Sequence, residues 1–408
     1  MSTRRAFSID AVHLMHPGTG LATTVAEWLR AFAAVRPDVR ATVFIPHRVQ
    51  LASFGLAERD HHFVRIPAPD VGLDYLFRMA WGARVSRCRT GMGLDGPHFI
   101  PYLYNYGSLR RNVVMVPDLV YREFPDYGVV PPSQPWWNRR GRLPIRPLVR
   151  HLEERAAACA SHLVVTSHYV AEQATSLLGV PRERLTVVPL GPPAWLTGSA
   201  QTLERASGFA LPARYMLYVG GYAVRKNVPL LLRACAAVYE RDRSFRCVFA
   251  GLSPGRLASM PEVVGPLPPD FLATALTGLP AVTNGDLRRL YVNSAFAAYP
   301  SHSEGFGLPV IEAGVCGRLC LAGDNSSLRE VQPTASFRVD ARDERGWTER
   351  ILYYWQHPGA AIEAGRLCQQ QAAQYTWDAS VQRLLHVLLA APPLAQAPRG
   401  VPSAPPSR

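Results

Sequence analysis

The run Pro300-Ser-His-Ser-Glu304-Gly305-Phe306-Gly307-Leu308-Pro309-Val-Ile-Glu312-Ala holds the residues of this chain best suited to chemistry. It follows the apolar run Phe296 to Tyr299 and reads as a strand, a glycine turn and the start of a helix. Gly305 and Gly307 let backbone approach a ligand closely, and Pro309 suits the first helical position, where a missing N–H is no loss. The amides of residues 306 to 310 then face forward at the positive end of a helix, which makes a seat for phosphate. Glu304 precedes that seat and Glu312 lies one turn inside the helix. Carboxylates accept hydrogen bonds from vicinal hydroxyls, so two of them flanking a phosphate seat suggest one sugar on each side of a diphosphate. The plainer alternative is a glycine-rich turn whose Glu312 complements the helix dipole.

A second strand, glycine turn and helix start is read in Tyr215-Met-Leu-Tyr-Val-Gly220-Gly221-Tyr-Ala-Val-Arg225-Lys226-Asn227. The chain has 44 basic residues, and Lys226 is the only lysine among them. Two cations directly after a glycine turn are placed to neutralise a diphosphate leaving group, and ligands of such α/β units bind at the carboxyl ends of the strands. A solvated Arg-Lys pair is the alternative.

Elements of one kind must position these loops. Short β-branched or aromatic runs bounded by Gly, Pro or Asp alternate with helical stretches, the pattern of a parallel sheet covered by helices. The expected strands are 7–12, 41–45, 62–66, 97–100, 112–116, 162–166 and 185–189, then 216–220, 246–250, 296–299, 318–321 and 336–339. The stretch 266–284 between them is expected to be irregular. Between the halves, Pro189-Leu-Gly-Pro-Pro-Ala-Trp195-Leu-Thr-Gly198 cannot continue a helix and reads as a linker. Residues 1–198 therefore form one α/β domain, 199–375 a second, 376–390 a closing helix, and 391–408, with six prolines and no acid, a disordered tail.

The chain has 408 residues, of which 48% are hydrophobic, enough to build cores and exclude disorder over most of its length. No apolar run reaches the ~18 residues of a membrane span. The first residues carry Asp10 and lack the apolar core of a secretory signal, which predicts a cytoplasmic protein. Seven scattered cysteines argue against a disulfide framework. Cys316 and Cys320 have no second pair nearby to complete a metal site, so no metal is expected.

Taken together, Leu217-Tyr-Val-Gly-Gly-x4-Lys226-Asn, Leu287-Arg-Arg-Leu-Tyr291, Pro300-Ser-x-x-Glu304-Gly-Phe-Gly-Leu-Pro-x-x-Glu312-Ala-x-x-Cys316-Gly and Ser327-Leu-x-Glu330-Val331 resemble the C-terminal domain of the family 4 retaining glycosyltransferases. Weaker likeness lies in Gly18-Thr19-Gly20, Val116-Pro-Asp118, Val165-Thr-Ser167-His168 and Tyr375-Thr-Trp377-Asp378, the last similar to the element that leads the final helix, 376–390, back across to the first domain. The resemblance implies the GT-B fold, two Rossmann-like α/β domains whose parallel sheets face across a cleft. It implies transfer of a hexose, mannose-like or related, from a nucleotide-diphosphate sugar with retention at the anomeric carbon. The acceptor would be a glycan or lipid-linked sugar of bacterial polysaccharide or lipopolysaccharide synthesis.

No cofactor or metal is implied beyond the donor. Arg225 and Lys226 would stabilise the leaving diphosphate, Glu304 would hold donor-sugar hydroxyls and Glu312 those of the ribose. Gly221, Gly305, Phe306, Gly307 and Leu308 would line the donor site, and Gly18, Thr19 and Gly20 would reach it from the other domain. Many members carry His-Asp where this chain has Pro117-Asp118, so Asp118 alone is left as a catalytic-face residue.

The net charge of +13 invites an anionic partner. Arg139, Arg140 and Arg142 follow Trp136 and Trp137, the chemistry of an acceptor or membrane face: rings at headgroup level and cations on anionic lipid. Peripheral contact with the inner face of the cytoplasmic membrane is the expectation, with a solvated loop or sugar-stacking tryptophans as alternatives. Nucleic acid is not expected, because no recognised module for it is present. A sugar-nucleotide epimerase of the same fold and a catalytically silent binding protein remain open beside the transferase. The base, the sugar, the acceptor and the oligomeric state are not legible here.

Overall fold

The computed structural model of the chain describes residues 7–16, 19–68, 74–102, 112–123, 146–197, 209–280 and 282–390. Its first sheet has seven strands, β1 (Ser8–Asp10), β2 (Thr42–Pro46), β3 (His62–Ile66), β4 (His98–Ile100), β5 (Asn112–Val116), β6 (His162–Val165) and β7 (Leu185–Val187). Their spatial order is β3-β2-β1-β4-β5-β6-β7, with every pairing parallel. A second sheet holds β8 (Met216–Val219), β9 (Cys247–Ala250), β10 (Leu276–Leu279), β11 (Phe296–Tyr299), β12 (Cys320–Gly323) and β13 (Arg338–Val339), again all parallel, in the order β10-β9-β8-β11-β12-β13. Both sheets reverse direction of growth at their first strand, so each opens a crevice at its carboxyl edge, β1 beside β4 and β8 beside β11.

Helices α1 (Gly20–Val35), α2 (Asp74–Gly91), α3 (Arg146–Cys159) and α4 (His168–Leu178) accompany the first sheet. With the second go α5 (Val228–Arg241), α6 (Asn284–Asn293), α7 (Leu308–Val315), α8 (Leu328–Val331), α9 (Glu344–Gln356) and α10 (Pro358–Ala372). The period-two rule of strands divides the core of the first domain in two. Val43, Ile45, Val113 and Met115 pack with Trp28 and Phe32 of α1, whereas Phe44, Val114 and Val116 pack with Trp81 and Val85 of α2. Being apolar on both faces, such strands need helices on both sides.

The last helix, α11 (Trp377–Ala390), belongs by sequence to the second half and packs on α1 of the first. Trp28 Nε1 donates to Ser380 Oγ at 3.0 Å, and the rings of Trp28 and Trp377 meet edge-on at 6.2 Å. Trp377 Nε1 donates to the Pro192 carbonyl at 2.7 Å, which ties α11 to the linker. There Gly191 has no room for a side chain: a Cβ would lie 2.7 Å from the Trp377 amide nitrogen.

Twelve expected strands coincide with twelve of the thirteen among the described residues, with ends displaced by a residue or two. The stretch 266–284 is a correction, because it contains β10. This edge strand reads Leu-Thr-Gly-Leu, and its Gly278 is required where a Cβ would come within 2.9 Å of the Leu252 carbonyl. A strand with so little apolar content has no signature of its own; its pairing with β9 makes it one. Pro309 is the second residue of α7 and not the first, a position that equally lacks an intrahelical N–H partner. All seven cysteines are free. Residues 391–408 lie outside the described residues.

Candidate functional site

Two loops meet at the carboxyl edge of β8 and β11. The first leaves β8 through Gly220 (φ +151°), and Gly251 (φ +98°) packs so tightly on it that a Cβ would stand 2.7 Å from the Gly220 carbonyl oxygen. It then makes a short turn over Val224–Lys226 and enters α5 through Asn227, which is left-handed at φ +53°. Asparagine tolerates that conformation, and its Nδ2 donates to the carbonyls of Ala341 (2.6 Å) and Pro300 (3.3 Å). The second loop, 300–307, is fastened to the first: His302 N donates to the Arg225 carbonyl at 2.7 Å, and Ser301 Oγ lies 2.9 Å from the same oxygen.

Between these loops sits Glu304, 7% exposed. Its Oε1 accepts from Lys226 Nζ at 2.8 Å, Tyr299 OH at 2.7 Å and Ser301 Oγ at 2.7 Å, and its Oε2 pairs with Arg225. Burial works against the charge on Glu304, but Lys226 and Arg225 outweigh it and hold the carboxyl down at about 2. Lys226 is itself pushed below its usual range by burial, with Glu304 opposing. The Lys226 ammonium also lies 4.5 Å over the Tyr299 ring. Two cations therefore surround one firmly ionised carboxylate.

Helix α7 begins beside this cluster. Gly307 at φ +103° turns the chain into it, and no side chain among the described residues caps its start. Glu312, one turn in, is buried, and Tyr291 OH of α6 donates to its Oε2 at 2.8 Å. Burial lifts its carboxyl to about 7 against the opposing Tyr291 bond, so Glu312 titrates near neutrality while Glu304 stays ionised. Phe306 and Leu308 pack into the core, Phe306 edge-on to Tyr375 at 5.5 Å, so in this loop backbone rather than those side chains is left for a ligand.

The first domain closes the other side. A Cβ on Gly305 would fall 1.8 Å from the Pro117 carbonyl oxygen and 2.8 Å from Asp118 Cβ, so the two domains touch at this glycine. Asp118 is raised by burial, with Arg225 across the cleft pulling it back. Thr19 caps α1, accepting from Ala22 N at 3.2 Å, and Gly20 is the first residue of that helix, with open space around it. Gly221, whose carbonyl accepts from Tyr218 OH at 3.2 Å, likewise has open space on its Cβ side. Gly18, Trp136, Trp137, Arg139, Arg140 and Arg142 lie outside the described residues. Among the described residues, no group of three His, Cys, Asp or Glu side chains is placed to hold a metal ion, and no helix is long and apolar enough to cross a membrane.

Thus the structure brings Arg225, Lys226, Glu304, Gly305 and Asp118 together, with Glu312 set behind the helix start. Sequence reasoning gave no role to Tyr299, Ser301, Asn227 or Tyr291, although Asn227 and Tyr291 stand in the motifs that carry the resemblance. Tyr299 ends the strand just before the quoted motif and Ser301 is its second residue, and a polar side chain ending an otherwise apolar strand was the available signal.

Residues 213–357 match the family described as Glycosyl transferases group 1. The D-inositol 3-phosphate glycosyltransferase of Gordonia bronchialis is 27% identical over 242 residues, covering 57% of this chain and 53% of that protein. The chain thus spans about half the length of the curated relatives it matches. WaaG, a glycosyltransferase involved in lipopolysaccharide biosynthesis, superposes with a TM-score of 0.69 at 13% identity over 94% of this chain and all of its own. Anabaena HepE in complex with UDP and glucose gives 0.66 at 14% identity, over 95% of this chain and all of its own. At such identities the structural likeness shows the fold, which is GT-B.

Proposed function

We propose, for a chain whose residues 213–357 match the glycosyl transferases group 1 and whose fold is GT-B, that it transfers a hexose from a nucleoside-diphosphate sugar to a hydroxyl of a glycan or lipid-linked acceptor, with retention. The observation that carries this reading is the cluster of Arg225, Lys226 and Glu304 beside the uncapped start of α7, facing Asp118 across the cleft. The UDP and glucose bound by HepE support a uridine nucleotide and a hexose as the first donor to try.

In this reading the diphosphate lies against the α7 amides with Arg225 and Lys226 over it. As the bond from the anomeric carbon to the β-phosphate oxygen breaks, charge grows on that oxygen, where prearranged cations in a dry site act most strongly. The acceptor hydroxyl attacks from the same face and passes its proton to the departing phosphate. Glu304, kept ionised by its two cations, accepts hydrogen bonds from donor-sugar hydroxyls. Glu312 does the same for the ribose, and Asp118 borders the acceptor side. No metal enters, since the two cations supply the charge.

The test is thermal-shift titration with UDP, GDP, ADP, CMP and dTDP, with and without magnesium, on wild type, Lys226→Ala and Glu312→Ala. One diphosphate is expected to raise Tm independently of magnesium and to lose its effect in both variants. The matching nucleotide sugar should then yield a product whose anomeric configuration, read by NMR, equals that of the donor. No shift with any diphosphate would overturn the reading.

A further inference from the structure

The start of α4 is completed by the other domain. Ser167, its N-cap, accepts from Val170 N at 3.2 Å, but the amides of His168 and Tyr169 donate to the two carboxylate oxygens of Glu330, at 2.9 and 2.8 Å. A carboxylate at the positive end of a helix is well placed; this one comes from α8, at the edge of the second sheet. The opposite direction is also used. Ser167 Oγ donates to the Gly305 carbonyl at 2.8 Å, and Thr166 Oγ1 lies 2.7 Å from the same carbonyl and 3.0 Å from that of Pro117, bridging one residue from each domain.

Glu330 is joined to the donor loop through its own segment. Ser326, left-handed at φ +44°, accepts from the Glu304 amide at 3.1 Å. Buried Ser327 lies with its Oγ 2.7 Å from the Glu304 carbonyl and 3.0 Å from that of Phe306. Residues 326–330 therefore grip the peptide of Glu304 at one end and α4 of the first domain at the other.

We infer that Glu330 is a positioning residue: by closing the start of α4 across the cleft it sets, through Ser326 and Ser327, the place of the Glu304 loop, so that Glu304 is held in working position only when the domains are together. The physical basis is a two-state element. Apart, the His168 and Tyr169 amides and the Gly305 carbonyl turn to water; together, one charge-assisted pair and two hydroxyl bonds satisfy them. A donor bound to the second domain keeps its diphosphate and ribose contacts in either state and loses only the aligned Glu304, so loss of the joint chiefly lowers the competent fraction of the bound enzyme.

The experiment compares wild type, Glu330→Ala, Glu330→Gln and Thr166→Val/Ser167→Ala by amide hydrogen exchange and, with the donor that the thermal-shift titration identifies, by steady-state kinetics. In Glu330→Ala, exchange is expected to quicken in both 168–170 and 303–308, and kcat to fall about tenfold with the donor KM within about threefold. Glu330→Gln, which keeps one accepting oxygen, should recover part of both effects. The Thr166→Val/Ser167→Ala protein attacks the joint from the other side, so it reads the same coupling should Glu330→Ala fail to fold. Faster exchange at 168–170 with 303–308 unchanged would overturn the inference, because Glu330 would then be only a helix cap. The turnover readout rests on the proposed function and the exchange readout does not: an inactive wild type with coupled exchange removes the transferase and leaves the joint.

Discussion

Burial raises several carboxylates of the first domain for which the site has no use, Asp10 among them. Asp10, at the end of β1, is fully buried; its Oδ1 accepts from Val12 N at 2.9 Å and Trp81 Nε1 at 3.0 Å. Burial outweighs both bonds and lifts its carboxyl to about 7 from an ordinary 3.8. A carboxyl that ionises more readily unfolded than folded makes stability fall as pH rises from about 4 to about 7. Asp10→Asn keeps an accepting oxygen, so it is expected to flatten that slope and to raise unfolding free energy at pH 8 by up to about 4 kcal/mol. Urea titrations at pH 4 and pH 8 check it, and an unchanged slope would refute it. Glu304 runs the other way: held at about 2, it contributes stability above an ordinary 4.5 that is lost as pH falls through about 2. Sequence showed Glu304 and Glu312 as a spaced pair. It could not show that one is ionised by two cations while the other titrates near 7, since charge state follows from burial and neighbours.

The loops at the site are held by short-range geometry that glycine makes possible. Gly305 is the sharpest case, because the Pro117 carbonyl occupies the place of its Cβ. Gly305→Ala is expected to force the domains apart at this point while each sheet stays folded. Small-angle scattering should show a larger radius of gyration, far-ultraviolet circular dichroism should be unchanged, and turnover should drop by at least about a hundredfold, the scale of a reacting group misplaced by ~1 Å. Retained activity with unchanged dimensions would contradict that close approach. The motif already marked Gly305 as a place of close backbone approach, but the partner expected there was a phosphate. What stands against its Cα is the peptide of another domain, a long-range contact with no local signature.

Across the whole molecule, α11 ties the second half of the chain to the first through Trp28, Ser380 and Trp377. Trp28 is 2% exposed and also meets Phe99 edge-on at 5.0 Å, so Trp28→Ala opens a cavity under both α1 and α11. Destabilisation of about 3–5 kcal/mol is expected from chemical denaturation, the cost of removing a large buried ring; a change under about 1 kcal/mol would show that α11 is not a structural tie. The sequence by itself determined the α/β alternation, twelve of the strands and the residues of the donor loops, because apolar periodicity and glycine placement are local consequences of backbone geometry. Only the tertiary structure decided that Arg225 and Lys226 face Glu304, that Tyr299 and Ser301 share its carboxylate, that Leu276–Leu279 joins a sheet, and that Glu330 completes a helix of the other domain. Each of these depends on groups brought together from separate parts of the chain or on the burial of a charge, neither of which has a period or spacing to read.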